Sequence, residues 1–91
     1  MVSRRTTVKN PSGLHARPAS VFVLKAKSFL SDITLAKANS QISTPVNAKS
    51  IMMILALGVS KGTPIVISCS GPDERVALDA LVGLVESGCG E

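Results

Sequence analysis

The sequence predicts an α+β fold, a four-stranded antiparallel sheet with three helices on one face, in the order β-α-β-β-α-β-α. Two observations carry this. Apolar residues alternate with period two in residues 2–8, 32–37 and 64–70, and recur at helical spacing in residues 16–29 and 77–85. Gly13, Gly58, Lys61-Gly62 and Pro72 punctuate the segments between them. At 91 residues the chain is expected to form a single domain, 1–91, around one core.

Taken in order, Val2 to Val8 alternates loosely, with Val2, Thr6 and Val8 on one face, and predicts the first strand. A loop follows from Lys9 to Leu14. From Ala16 to about Phe29, the residues Ala19, Phe22, Val23, Ala26 and Phe29 share one helical face, with Lys25 and Lys27 off it in water. Asp32 to Lys37 predicts the second strand, with Ile33 and Leu35 inward. Asn39-Ser40 is read as a turn into a third strand over Gln41 to Val46, and Pro45, which cannot donate to a ladder, puts that strand at an edge.

Ser50 as N-cap and Gly58 as C′ residue frame a short helix. Its inward stripe is expected to be Ile51, Ile54 and Leu55, leaving Met52, Met53 and Ala56 to form an exposed apolar patch. After the Lys61-Gly62 turn, Pro64 to Ser70 predicts the fourth strand, with Ile65, Ile67 and Cys69 on one face. Ser70 to Glu74 begins the last helix, with Asp73 and Glu74 in the first turn, where negative charge is favoured. Its buried stripe is Ala77, Ala80, Leu81, Leu84 and Val85. Gly88 to Glu91 reads as a tail, which makes Cys89 a tail thiol and Cys69 a buried one.

Composition narrows the function. Ten Lys and Arg against six Asp and Glu give a net charge of +4, but only Arg4 and Arg5 are adjacent, so the bias suits an acidic protein partner or a phosphate as well as it suits nucleic acid. A small basic RNA-binding domain would stack bases on aromatics, and the chain offers only Phe22 and Phe29. Two cysteines without a CxxC pair and one histidine make no zinc set, so neither metal nor cofactor is expected. No run reaches membrane-spanning length, and a soluble cytoplasmic protein without membrane insertion is the plain reading.

Chemistry concentrates at Ser12-Gly13-Leu14-His15-Ala16-Arg17-Pro18, which holds the only histidine. Gly13 lets the backbone bend, and Pro18 suits a first helical turn because its missing N–H would be unpaired there. His15 is then placed beside the backbone N–H groups of Ala16 and Arg17 at the positive end of a helix dipole, with the Arg17 cation two residues on. A lone histidine is usually an ordinary polar residue, but a neutral imidazole in this setting is a nucleophile suited to a phosphoryl group. No carboxylate pair, metal cluster or Gly-rich phosphate loop accompanies it, so the rest of the reaction has to come from a partner, which argues for a carrier rather than an enzyme. Ser50 is first a helix cap, and with Lys49 beside it also a phosphorylation target.

Gly13-Leu14-His15-Ala16-Arg17-Pro18-Ala19 resembles the active-site motif of HPr, the histidine-containing phosphocarrier family of the bacterial sugar phosphotransferase system. Lys49-Ser50-Ile51-Met52, Leu57-Gly58 and Lys61-Gly62 resemble its second motif. The resemblance implies an open-faced β-sandwich whose sheet runs first, fourth, second, third strand. It implies that His15 is phosphorylated on Nδ1 by phospho-Enzyme I with Arg17 assisting, and that the group passes to enzyme IIA domains. It further implies that an ATP-dependent HPr kinase/phosphorylase modifies Ser50, signalling to a catabolite-control transcription regulator. Docking would use Ser20, Lys27, Lys49, Ile51, Met52 and Met53, on a monomer. A regulatory paralogue, nitrogen-related or served by the kinase alone, is the alternative within the family. Two features depart from the family pattern: a longer stretch between His15 and Ser50, with the extra length around Ala38 to Pro45, and Met53 in place of a common Gly.

Overall fold

The computed structural model describes residues 1–39 and 41–90; Ser40, half of the expected Asn39-Ser40 turn, and Glu91 lie outside the described residues. The elements are β1 (Val2–Thr7), α1 (Ala16–Lys27), β2 (Asp32–Lys37), β3 (Val46–Asn47), α2 (Ile51–Leu57), β4 (Pro64–Ser70) and α3 (Glu74–Glu86). The four strands form one antiparallel sheet in the order β1-β4-β2-β3.

Register explains how period two becomes two faces. Cys69 and Ile67 of β4 stand opposite Val2 and Arg4 of β1 on one side and opposite Ile33 and Leu35 of β2 on the other. The β4 and β2 members of this row are buried with Ile65 beneath the helices, in one core with Phe22, Val23 and Ala26 of α1 and Leu81 and Val85 of α3, while Val2 is half-buried and Arg4 exposed at the β1 side. The helix-free face carries the alternate residues. There the Ser3 hydroxyl donates to Ser68 Oγ at 2.9 Å, and the Arg5 guanidinium crosses β4 to donate to the Ala38 carbonyl at 2.7 Å. A long cationic side chain thus lies over a sheet face that no helix covers.

The structure corrects several expected details. The third strand is Val46–Asn47, paired with Leu35 and Thr34, and it does lie at the sheet edge. Around Ile42 and Ser43 the chain folds back over the end of β2 instead of continuing a ladder beside it. The Lys37 carbonyl accepts from Ser43 N and the Lys37 N–H donates to Ser43 Oγ, both at 2.8 Å, with an isolated bridge between Ala38 and Ile42. Because Ser43 satisfies both backbone groups of Lys37, the ladder ends there. Helix α1 stops at Lys27, leaving Phe29 half-buried in the following turn. In α3 the buried set includes Leu78 and Val82, while Ala80 and Leu84 are half-buried, because this helix packs against β1, β4 and α1 at once. Cys89 is buried: Ser87, Gly88 and Cys89 continue the hydrogen bonding of α3 to Gly83, Val85 and Leu84, so the segment after the helix returns to the core.

Asp73 and Glu74 also differ from simple helix-end acids. Asp73 occupies the N-cap position of α3 without capping it. Its carboxylate instead accepts hydrogen bonds from the Ser31 hydroxyl, the Leu30 N–H at 2.8 Å and the Ser31 N–H at 3.0 Å, tying the turn before β2 to the start of α3. The Ser31 hydroxyl first, and the Leu30 N–H after it, hold the Asp73 carboxyl below its ordinary range; a hydrogen bond from the Gly71 N–H chiefly does the same for Glu74. A carboxyl whose folded pKa is lowered stabilises the fold above its unfolded value, about 3.9 for Asp, and loses that contribution as pH falls toward the folded value. Thermal unfolding followed from neutral to acid pH should therefore show an acid loss below about pH 4 that is visibly shallower in Asp73→Ala. An acid limb unchanged by the substitution would contradict the role given to this carboxylate.

Candidate functional site

The site is built where two loops at one end of the sheet lock together. Val8, just beyond β1, donates to the Thr63 carbonyl at 3.1 Å and accepts from Gly62 N at 2.8 Å. The chain then turns over Asn10 to Gly13, where Gly13 N donates to the Asn10 carbonyl at 3.1 Å and Asn10 Nδ2 donates to the Gly13 carbonyl at 2.6 Å. Leu14 is buried and donates to the Val59 carbonyl at 3.0 Å. Gly13 has φ of +62°, and a Cβ added to it would lie 2.5 Å from the Val59 oxygen and 2.6 Å from Ser60 Cα. Only glycine fits, for conformational and steric reasons together.

His15 emerges from this junction as the N-cap of α1, with φ −86° and ψ −167°. Its carbonyl accepts the first helical bond, from Ala19 N at 2.8 Å, but its side chain makes no capping bond and is exposed. Pro18, the third helical residue, is buried and has no N–H to satisfy. His15 therefore sits at a helix start that opens with the N–H groups of Ala16 and Arg17 and has no acid in its first turn. Arg17 is exposed, and among the described residues no ion pair engages it. Chemically this is an uncommitted nucleophile beside uncommitted donors and a cation, an arrangement suited to holding an anionic group on the ring.

The other expected site residues sit along α1 and α2. Ser50 caps α2, its Oγ accepting from Met53 N at 3.3 Å, and Gly58 ends the helix in the left-handed conformation. The Lys49 ammonium donates to the Phe29 carbonyl at 2.8 Å, just past the end of α1. Since Val59, just past the end of α2, holds Leu14 at the other end of α1, the two helices run antiparallel. Ser50 lies at the far end from His15, and the twelve residues of α1 between them span about 18 Å. Ser20 is half-buried one turn into α1 beside His15, whereas Lys27 is exposed at the Ser50 end. Lys49 is half-buried and already engaged, so it is less available to a partner than its sequence position suggested.

Helix α2 is more exposed than expected. Of the anticipated inward stripe only Ile54 is buried; Ile51 and Leu55 are 39% and 41% exposed, alongside Met52 at 81% and Met53 at 43%. A helix of seven residues, lying by the edge strand β3, turns one narrow row to the core, with Leu57 half-buried below Ile54. Sequence reasoning missed Asn10 and Val59, the two residues that fasten the His15 loop. Asn10 carried only a turn signal, and Val59 none.

A protein-family model described as the PTS HPr component phosphorylation site matches residues 2–87. The chain is 42% identical to the HPr-like protein Crh of Bacillus subtilis, over 94% of this chain and 96% of the relative. It is similar to the crystal structure of HPr-C-His from Thermoanaerobacter tengcongensis, with TM-score 0.91 and 48% identity over 100% of this chain and 98% of that one; a dimer of HPr from the same organism superposes with TM-score 0.75 over the full length of both. It is also similar to the phosphocarrier protein HPr of Bacillus anthracis, with TM-score 0.85 and 42% identity over 92% of this chain and 95% of that one.

Two glycine substitutions separate steric fit from backbone preference. Gly58→Ala meets nothing within 4 Å and bears only the left-handed penalty, about 1 kcal/mol. Gly13→Ala adds a backbone collision and should lower the unfolding free energy in urea by more than about 2 kcal/mol. Equal losses at the two positions would contradict the close packing described for the His15 loop.

Proposed function

The chain belongs to the HPr family of phosphotransferase-system components, and from that premise we propose that residues 1–91 act as one cytoplasmic phosphocarrier domain. The observation that carries this is the exposed His15 at the N-cap of α1, with the N–H groups of Ala16 and Arg17 and the Arg17 guanidinium uncommitted beside it.

In this reading, Nδ1 of the neutral imidazole attacks phosphorus on phospho-Enzyme I. The N–P bond forms as the bond to the donor breaks, the electron pair leaves with the donor, and the Nε2 proton stays in place. The Ala16 and Arg17 N–H groups and the Arg17 cation compensate the charge carried by the new phosphohistidine. An enzyme IIA domain then repeats the exchange in the opposite sense, in the service of sugar uptake. The apolar residues Ile51, Met52 and Met53, with Ser20 and Lys27 at their border, form the docking face. Lys49 contributes chiefly by holding α2 to the end of α1.

Ser50 is the regulatory position, modified by an HPr kinase/phosphorylase and read by a catabolite-control transcription regulator. Its distance from His15 means that a phosphate there acts on the shared docking face rather than on the imidazole. A purely regulatory role is the second reading, supported by the likeness to Crh. We take the monomer as the working form, since β1 is paired along its whole length within one chain; the dimer of the Thermoanaerobacter relative sets the alternative.

Incubation with Enzyme I and phosphoenolpyruvate should place one acid-labile phosphoryl group on the protein, absent from His15→Ala. A parallel incubation with ATP and HPr kinase/phosphorylase should place an acid-stable group that is lost in Ser50→Ala. Acid-labile label persisting in His15→Ala overturns the carrier site. Label in the second arm alone favours the regulatory reading.

A further inference from the structure

Building on the phosphocarrier reading, we infer that Asn10 is a positioning residue for His15, fixing through the Gly13 carbonyl the direction in which the imidazole meets an incoming phosphoryl group. Asn10 is 3% exposed, and a primary amide that deep in a small domain persists only where its hydrogen bonds offset its desolvation. Its Nδ2 donates to the Gly13 carbonyl at 2.6 Å, while its own carbonyl accepts from Gly13 N at 3.1 Å. The same two residues are thus clasped twice, from backbone and from side chain, which closes the turn over residues 10–13.

The Gly13 carbonyl belongs to the peptide that leads into Leu14, and His15 follows directly. That peptide is held on one side by Asn10 and on the other by the Leu14 bond to Val59. No capping bond fixes the His15 side chain, so the direction of the ring is inherited from the backbone that delivers it. Glycine at position 13 makes the dependence sharper, because a residue without Cβ offers little resistance to rotation once a bond to its carbonyl is lost. Transfer of a phosphoryl group between two proteins needs the attacking nitrogen in line with the breaking bond, so a small rotation costs rate even where docking is unchanged. Asn also supplies this donor without charge, where a carboxylate would set its negative oxygen against a carbonyl oxygen and near the seat of the phosphate.

Asn10→Leu keeps the branching at Cγ, in a larger side chain, and removes the donor; Asn10→Asp keeps the shape and replaces the donor by an acceptor. With phospho-Enzyme I, both variants should lose roughly tenfold in kcat with KM unchanged, because the docking face on α2 is untouched. In the unphosphorylated protein, the His15 ring nitrogen resonances should shift or broaden in both. If Asn10→Leu proves too unstable to assay, Asn10→Asp carries the test. Wild-type kcat with unmoved ring resonances would overturn the assignment, as would a loss confined to KM. Should the wild type take no phosphoryl group, the carrier reading fails, while the ring resonances still judge Asn10.

Discussion

Everything at the functional end of this molecule depends on how closely the backbone at Gly13 approaches the backbone at Val59 and Ser60. That approach is closer than any side chain at position 13 allows, and the Leu14 to Val59 hydrogen bond secures it. On one side of the junction stands the loop that delivers His15. On the other is the turn that leaves α2 and enters β4, pinned in turn to Val8 by Gly62. The two sequence motifs, about thirty residues apart, are therefore halves of one mechanical unit: the second motif is the wall against which the first is pressed.

From that junction follows the polarity of the surface. Helix α1 starts there, helix α2 ends there, and the Lys49 bond to the Phe29 carbonyl joins their other ends. The candidate phosphoryl-accepting histidine and the candidate regulatory serine consequently occupy opposite ends of an antiparallel helix pair. The apolar side chains of Ile51, Met52, Met53 and Leu55 lie exposed on the second helix. On the proposed reading, a partner covering this face would reach His15 at one margin and meet Ser50 at the other, so that a single surface would serve both transfer and control. Flexible methionines suit a surface that must meet partners of different shape.

Much of this was legible in the sequence because the signals were local. The β2 and β4 boundaries, the Ser50 cap, the Gly58 end and the placement of His15 at a helix start follow from period, cap and turn chemistry, and the sheet order from the family resemblance. What was not legible depended on tertiary contacts. No local rule shows that Ser43 satisfies both backbone groups of Lys37 and so ends the ladder, that Asp73 reaches back to Ser31 instead of capping α3, or that Cys89 returns to the core. The inward stripe of α2 was overestimated for a related reason: helical spacing says which residues share a face, not how wide a face the neighbouring layer covers. Asn10 escaped notice because its partner is a carbonyl, and a carbonyl has no sequence signature.

On the proposed carrier reading, His15 should hold its phosphoryl group until another protein removes it. The direct measurement is to isolate the protein bearing radiolabelled phosphate on His15 and follow the label at neutral pH with and without an enzyme IIA domain. Label that stays on the protein alone, and moves promptly to the added domain, is the expected result. Label that leaves equally fast without an acceptor, or never reaches the domain, would contradict the carrier.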